Sequence, residues 1–403
     1  MKRTFRSCYI GTFVMALVTN LSPLLFVTFM GQFSLNFEQV GRLALVNFFT
    51  QVIVTLSFSR FVDKHGVRPF VTAGHMLVFA GFVLFAFTDT VFPFHPYSGI
   101  IVATILFSIG GGLLELLLSA IVQAIPTDTK ASDMSMMHAF YALGMIVVVG
   151  GTTAMIAFMG STKWPLIILL WSIIPLLNFF NFLRVPLAPA VAEKHRTPTP
   201  VLLKSRYLLL VIVGMALAGS SEIAMTQWTS AYAEAALGLS KTTGDLLGLS
   251  LFAALLGVGR LAYGRLGRRL DLWSVMLGGS LFAAICYLVA SLATNPIISL
   301  IACAATGFGV ALLWPGSIVL ATTHFPRAGS SLFALLAAGG TIGAAIGPWA
   351  LGFVADLVPP QAPFSPLRTA MLVGTIFPLL MATVLLILRK MDAHDAVEQQ
   401  YRQ

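Results

Sequence analysis

Two carboxylates in this chain fall where an ionised group is costly. Glu115 and Glu222 each lie deep inside an uninterrupted apolar stretch. At the centre of a bilayer an ionised carboxylate on an isolated helix costs from about 2.5 to more than 10 kcal/mol. Each must therefore face a cavity or a partner, or persist as a neutral acid hydrogen-bonded between helices. Apolar surroundings disfavour the charged form of a carboxyl group, and this makes Glu115 the first candidate proton carrier. Glu222 is the second, or else an acceptor for substrate hydroxyls. His138 is a relay candidate because imidazole titrates near neutrality. It stands only about a turn inside its stretch, nearer the membrane edge than Glu115, and an interhelical hydrogen-bonded histidine is the alternative.

Amides and indoles form a second layer of candidates. Asn20 is near the middle of the first apolar stretch, and Asn47 and Gln51, four residues apart, share one helix face. Gln227 and Trp228 follow Glu222, and Trp314 precedes a proline. Amides bond hydroxyls and an aromatic face covers the C–H side of a sugar ring, so these residues are candidates for binding a small neutral solute. Packing is the competing reading for both tryptophans, and Asn178 and Asn181 read as helix glue. Every Lys and Arg falls near the end of a stretch, so no cation is expected at mid-membrane to match a strongly anionic substrate. The chain offers no nucleophile–base pair, metal cluster or phosphate loop. It is therefore expected not to be an enzyme, to need no cofactor or metal, and not to hydrolyse ATP. Cys8, Cys286 and Cys303 lie in apolar stretches without ligand spacing and read as core thiols.

The elements that must position these residues are membrane spans. Of 403 residues 58% are hydrophobic and 10% charged, against roughly 25% charged in a soluble domain. Twelve stretches are long enough to cross a bilayer as helices: 7–31, 40–61, 69–89, 98–125, 134–160, 164–184, 206–236, 243–266, 271–294, 296–324, 328–357 and 367–390. The first is too long for a signal peptide and leads straight into further spans. With this numbering, 20 of the 24 Lys and Arg fall on one side, leaving Arg42, Lys163, Lys241 and Arg368 on the other. That asymmetry places both termini in the cytoplasm. It also makes the net charge of +9 topogenic, with no nucleic-acid partner implied. The expected fold is an all-α polytopic membrane protein of about twelve helices, in two six-helix halves around a central cavity. The halves are 1–185 and 206–403, joined by a cytoplasmic linker over 186–205, a stretch rich in proline and carrying both charge signs.

The halves echo one another. The loop after the second span contains Asp63-Lys64-x-Gly66-x-Arg68, and the loop after the eighth contains Gly264-Arg265-x-Gly267-Arg268-Arg269. Gly110-Gly-Gly112 likewise matches Gly307-x-Gly309 at a similar offset, and internal duplication is a hallmark of transporters. Asp63, Lys64, Gly66 and Arg68 together can pair across helix ends and latch one state of a rocking molecule. Simple topogenic charge is the alternative for Lys64 and Arg68. The Asp63–Arg68 run resembles the signature between the second and third helices of the major facilitator superfamily. Further likeness is to its fucose–galactose–glucose proton symporter branch. It is carried by Gly110–Glu115, Met137-His138-x-x-Tyr141-x-x-Gly144, Gly307-x-Gly309 with Trp314-Pro315, and Gly347-Pro348…Gly352…Asp356. That branch has a glutamate in the fourth helix near its cavity, a position that Glu115 matches.

The resemblance implies secondary active uptake of a neutral sugar or similar polyhydroxylated solute with protons, by alternating access, in the inner membrane of a bacterium. Sodium is the alternative coupling ion, and the expected partners are the solute, the ion and the lipid bilayer, with the chain a monomer. Two embedded acids among 31 Phe and 16 Met would also suit an efflux antiporter for lipophilic or cationic compounds. A membrane receptor or scaffold that transports nothing is the reading from another class.

Overall fold

Long apolar runs in which every backbone amide must find its partner internally leave the chain one option in lipid, the helix. The computed structural model is all-α accordingly, with no strand among the described residues. It describes residues 2–125, 130–187, 202–266, 269–325, 329–359 and 361–401. Most of the 186–205 linker and the Gly267-Arg268 pair therefore lie outside the described residues.

Among the described residues, twelve helices are long and apolar enough to cross a membrane. We number them α1 (Lys2–Phe33), α2 (Phe37–Phe58), α3 (Val67–Ala86), α4 (Pro96–Val122), α5 (Phe140–Met159) and α6 (Ser161–Arg184). The second six are α7 (Arg206–Ala235), α8 (Lys241–Tyr263), α9 (Leu272–Leu292), α10 (Pro296–His324), α11 (Leu332–Leu357) and α12 (Pro366–Asp392). The chain divides into two compact units, Met1–Ala192 with Ser240–Ser250, and Glu193–Leu239 with Leu251–Gln403. The start of α8 thus belongs with the first unit and its remainder with the second.

Each unit repeats one set of helix pairings. In the first, α1 packs on α5, α3 on α4 and α6, and α2 on α4. In the second, α7 packs on α11, α9 on α10 and α12, and α8 on α10. Hydrophobicity cannot drive one helix onto another in a solvent as apolar as leucine, so close packing of small residues does it. Where α3 crosses α4, a Cβ on Gly110 would stand 2.5 Å from the Gly74 carbonyl oxygen. Where α9 crosses α10, a Cβ on Gly279 would stand 2.5 Å from that of Gly309. The structural counterpart of Gly110 is thus Gly309, two residues beyond the Gly307 that a simple sequence alignment pairs with it. The α7–α11 seam is a parallel ladder of Ile212, Ala216 and Ser220 against Gly339, Gly343 and Gly347, with Ser220 Oγ donating to the Gly343 carbonyl at 3.0 Å.

Several spans are interrupted. Regular α-helix in α1 ends at Asn20 and gives way to a 3-10 turn over Pro23–Leu25. α10 breaks between Val310 and Leu313. α8 begins with a π-helical segment, Gly244–Ser250. At the breaks in α1 and α10 backbone carbonyls lose their usual donors, and a polar side chain replaces each, Asn47 at Val18 and Arg260 at Ala311.

Candidate functional site

In the first unit the site is organised by three successive glycines of α4. The missing side chain of Gly110 admits α3, that of Gly111 admits Val18 of α1, and that of Gly112 admits the Gln51 backbone of α2. Four helices therefore converge on one turn. Asn47 ties three of them together. Its Nδ2 donates to the Val18 carbonyl at 3.0 Å, and its Oδ1 accepts from Gln51 Nε2 at 2.7 Å and from Ser108 Oγ at 2.8 Å. The Val18 carbonyl needs that donor because the regular helix of α1 stops two residues later. Asn47 is thus committed to holding helices together. Asn20, also buried, turns its Nδ2 back onto the Ala16 carbonyl at 2.9 Å.

Glu115 stands seven residues beyond Ser108, two turns along the same face of α4. It is nine residues before the helix's last residue, Ala124, hence about 14 Å in from that end. Its side chain is partly exposed, and among the described residues its carboxylate has no hydrogen-bond or ion-pair partner. Asn47, Gln51 and Ser108 on this face are engaged with one another.

In the second unit the break in α10 follows from Pro315. Proline has no N–H, so the Ala311 carbonyl four residues earlier loses its helical donor. Arg260 of α8 supplies the replacement, with Nε donating to that carbonyl at 3.2 Å. The same guanidinium lies 3.7 Å from Glu222 through Nη2 and Oε2, with Glu222 the more enclosed partner. The expectation placed Arg260 near the end of its span and did not foresee its contact with Glu222. Arg260 is close to the end of its span, but its long side chain reaches inward to Glu222. The pair is net neutral, so the region holds no uncompensated cation for an anionic solute.

The remaining candidates in this unit are mostly packing groups. Trp228 is fully buried, and its indole N–H donates to the Pro348 carbonyl at 2.8 Å. Its ring is not open to solvent. Gln227 is also buried. The six-membered ring of Trp314 packs against Gly340 of α11, where a Cβ would come within 2.3 Å of it, and the residue is partly exposed.

Gly66 alone separates the helix Phe37–His65, of which α2 is the apolar part, from α3, with a φ of 79° that glycine adopts without strain. Arg68 forks onto the last carbonyls of α6. Nη1 donates to Phe182 and Leu183 at 2.7 and 2.8 Å, and Nη2 donates to Val185 at 2.8 Å. A cation on the orphan carbonyls at a helix C-terminus is favourable in charge and in hydrogen bonding. The side chains of Asp63, Lys64 and His138 lie outside the described residues.

Three polar residues were missed by sequence reading, namely Arg260, His75 and Asp245. His75 is fully buried in α3, with Nδ1 donating to the Val71 carbonyl at 2.8 Å and Nε2 accepting from Asn178 Nδ2 at 2.8 Å. Asn178 also donates to the Ser7 carbonyl at 3.0 Å, so α1, α3 and α6 share one polar fastening. The spacing of Asn178 within an apolar span was the available signal, and its partner was not. Asp245 is fully buried as well, near the start of α8.

Among the described residues, twelve apolar spans fall in two units that share one set of helix pairings. The profile described as Major Facilitator Superfamily matches residues 8–331 and 248–401. The chain belongs to the major facilitator superfamily. An uncharacterised MFS-type transporter of Yersinia pestis is 24% identical over 259 residues, spanning 64% of this chain and 65% of that relative. Among solved structures, the nucleoside transporter NupG superposes with a TM-score of 0.76 at 11% identity, covering 96% of this chain and 99% of that one. The E. coli fucose:proton symporter FucP superposes at 0.65 with 16% identity, covering 95% and 98%. Identities this low establish the shared MFS fold. The family and the fold are those of transporters and not of enzymes, and the protein is a multi-pass membrane protein.

Proposed function

We propose that this transporter takes up a neutral, polyhydroxylated solute, sugar-like in chemistry, together with protons, by alternating access. The observation that carries the reading is Glu115, a partly exposed carboxylate deep in α4 with no partner among the described residues. A carboxylate inside a membrane span is costly when charged unless a cavity or partner compensates it, and a carrier that crosses the membrane loaded can relieve that cost by taking up a proton. The neutral solute follows from charge balance. Arg260 is compensated by Glu222, and none of the described solute-binding candidates is another cation, so an anionic solute would enter without a match. That solved relatives of this fold include a fucose:proton symporter and a D-xylose-proton symporter is consistent with this class. The bacterial inner membrane with cytoplasmic termini remains the placement that the charge asymmetry supports.

Glu115→Gln tests the carrier role. The variant keeps size and hydrogen bonding but cannot release a proton. Solute accumulation against a gradient should be lost, at least tenfold below the parent, while exchange at equal concentrations persists. Accumulation at the parental level would remove Glu115 from this role.

A further inference from the structure

Glu222 and Arg260 hold one another by charge alone. Their closest atoms, Oε2 and Nη2, are 3.7 Å apart, beyond the roughly 2.7–3.2 Å of a protein hydrogen bond. Among the described residues no hydrogen bond reaches either oxygen of Glu222, and Nε, on the Ala311 carbonyl, is the one engaged nitrogen of Arg260. Both carboxylate oxygens and both terminal nitrogens of the guanidinium therefore keep their hydrogen-bonding capacity. Both side chains are also partly exposed, Arg260 at 43% and Glu222 at 16%. An ion pair inside a span gives up hydration, and here no direct hydrogen bond offsets that loss.

The backbones that carry the pair are fixed, and all of them belong to the second unit. Next to Glu222, the Ser221 carbonyl accepts from Tyr287 Oη at 3.0 Å, and Ser220 Oγ holds α11. α8 and α10 touch closely. A Cβ on Gly307 would stand 2.4 Å from the Phe252 carbonyl oxygen, and one on Gly259 would stand 2.6 Å from the Ala311 Cβ. That approach brings the α10 break within reach of Arg260, and the bond to Ala311 orients its planar fork. A carboxylate and a guanidinium on rigid helices, with free donors and acceptors side by side, form a preorganised polar site.

The chemistry of the pair selects its ligand. A carboxylate only accepts, a guanidinium only donates, and a hydroxyl does both. Two hydroxyls on adjacent carbons match the pair: one donates to Glu222, the other accepts from a terminal N–H of Arg260. Hydrogen bonds to ions are the stronger kind. A solute with net charge would upset the balance of the pair. A zwitterion would keep it, but brings two further charges that must be desolvated to enter.

We propose that the Glu222–Arg260 pair is a subsite for a vicinal diol of the solute, with Arg260 a specificity-determining residue. The polyhydroxylated class rests on the function proposed above, whereas proton coupling takes no part in this step.

The test is equilibrium binding by calorimetry to the full-length protein in detergent, with no gradient. The probes are D-xylose, L-fucose, D-galactose and D-ribose, the monodeoxy analogues of whichever binds, and L-alanine as the zwitterion. At least one sugar should bind the parent, and Glu222→Gln and Arg260→Gln should each weaken it at least tenfold. Removing one hydroxyl of an adjacent pair should cost the parent a similar factor and cost the variants little more, because the same contact is lost twice. Variants that bind the sugar as the parent does overturn the proposal. So do deoxy losses that multiply with the variant losses at every position, since a merely structural role gives that result. Failure of every sugar to bind the folded parent overturns it as well, and binding of L-alanine instead would assign the pair to zwitterions. If Arg260→Gln is not recovered folded, Glu222→Gln decides alone on the same criteria. Sugar binding with this signature but without proton movement would sink the proton-coupled reading and leave the subsite standing, so the two failures are distinguishable.

Discussion

At the scale of single residues, composition made some groups conspicuous and geometry decided what they do. Glu115 was legible because an acid inside a long apolar run has few bland explanations. Arg260 was not, because sequence places an arginine by its backbone and cannot show where a flexible side chain of that length ends. Asn47 was legible as a polar group on a shared face with Gln51, but not as one wholly committed to Val18, Gln51 and Ser108. Arg68 illustrates the same limit, since nothing in Asp63–Arg68 names the α6 carbonyls it grips. The grip depends on a planar fork with several donors, which lysine does not have. Arg68→Lys should therefore lower the unfolding midpoint of the detergent-solubilised protein nearly as much as Arg68→Ala, with a loss of about 1–3 kcal/mol. A lysine variant as stable as the parent would show that charge alone matters there.

At the scale of elements, the twelve spans were legible from length and apolar composition, whereas their interruptions were not. The α10 break is the exception that sequence could have given, since Pro315 removes the donor to Ala311. The π-helical start of α8 has no comparable signature, and Asp245 was passed over for that reason. The α7–α11 seam yields a prediction with an internal control. A Cβ on Gly343 would lie 1.8 Å from the Ala216 carbonyl oxygen, whereas one on Gly278 would meet nothing within 4 Å. Gly343→Ala should destabilise by at least about 1–3 kcal/mol as overpacking does. Gly278→Ala should be neutral or slightly stabilising in a thermal melt, and equal melts would contradict the assigned seam.

Helix caps outside the spans also respond to pH. Asp271 caps α9, its Oδ2 accepting from Ser274 Oγ at 2.7 Å and Ser274 N at 3.0 Å. Those two bonds, with a smaller contribution from Arg389, hold its carboxyl below the usual carboxylate range. A pKa lowered by folding contributes stability above the unfolded-state value, and that stability is lost as pH falls through the folded-state value. Asp271→Ala should therefore melt below the parent at neutral pH, and the gap should narrow in acid. A gap independent of pH would assign the effect to helix propensity alone.

At the scale of the whole molecule, the duplicated pairing pattern and the family assignment agree on a transporter. The echo between the two halves was readable from motifs, but the register of the glycine crossings and the grouping of Ser240–Ser250 with the first unit were not. Both depend on which helices approach closely, and a single sequence does not report contacts. The central claim is that a neutral solute and a proton move together. Its most direct measurement records external pH in de-energised, lightly buffered cells expressing the protein, after addition of each of a panel of neutral sugars. The account predicts alkalinisation by at least one sugar and none in cells expressing Glu115→Gln. A sugar that enters by this protein with no change of external pH would contradict it.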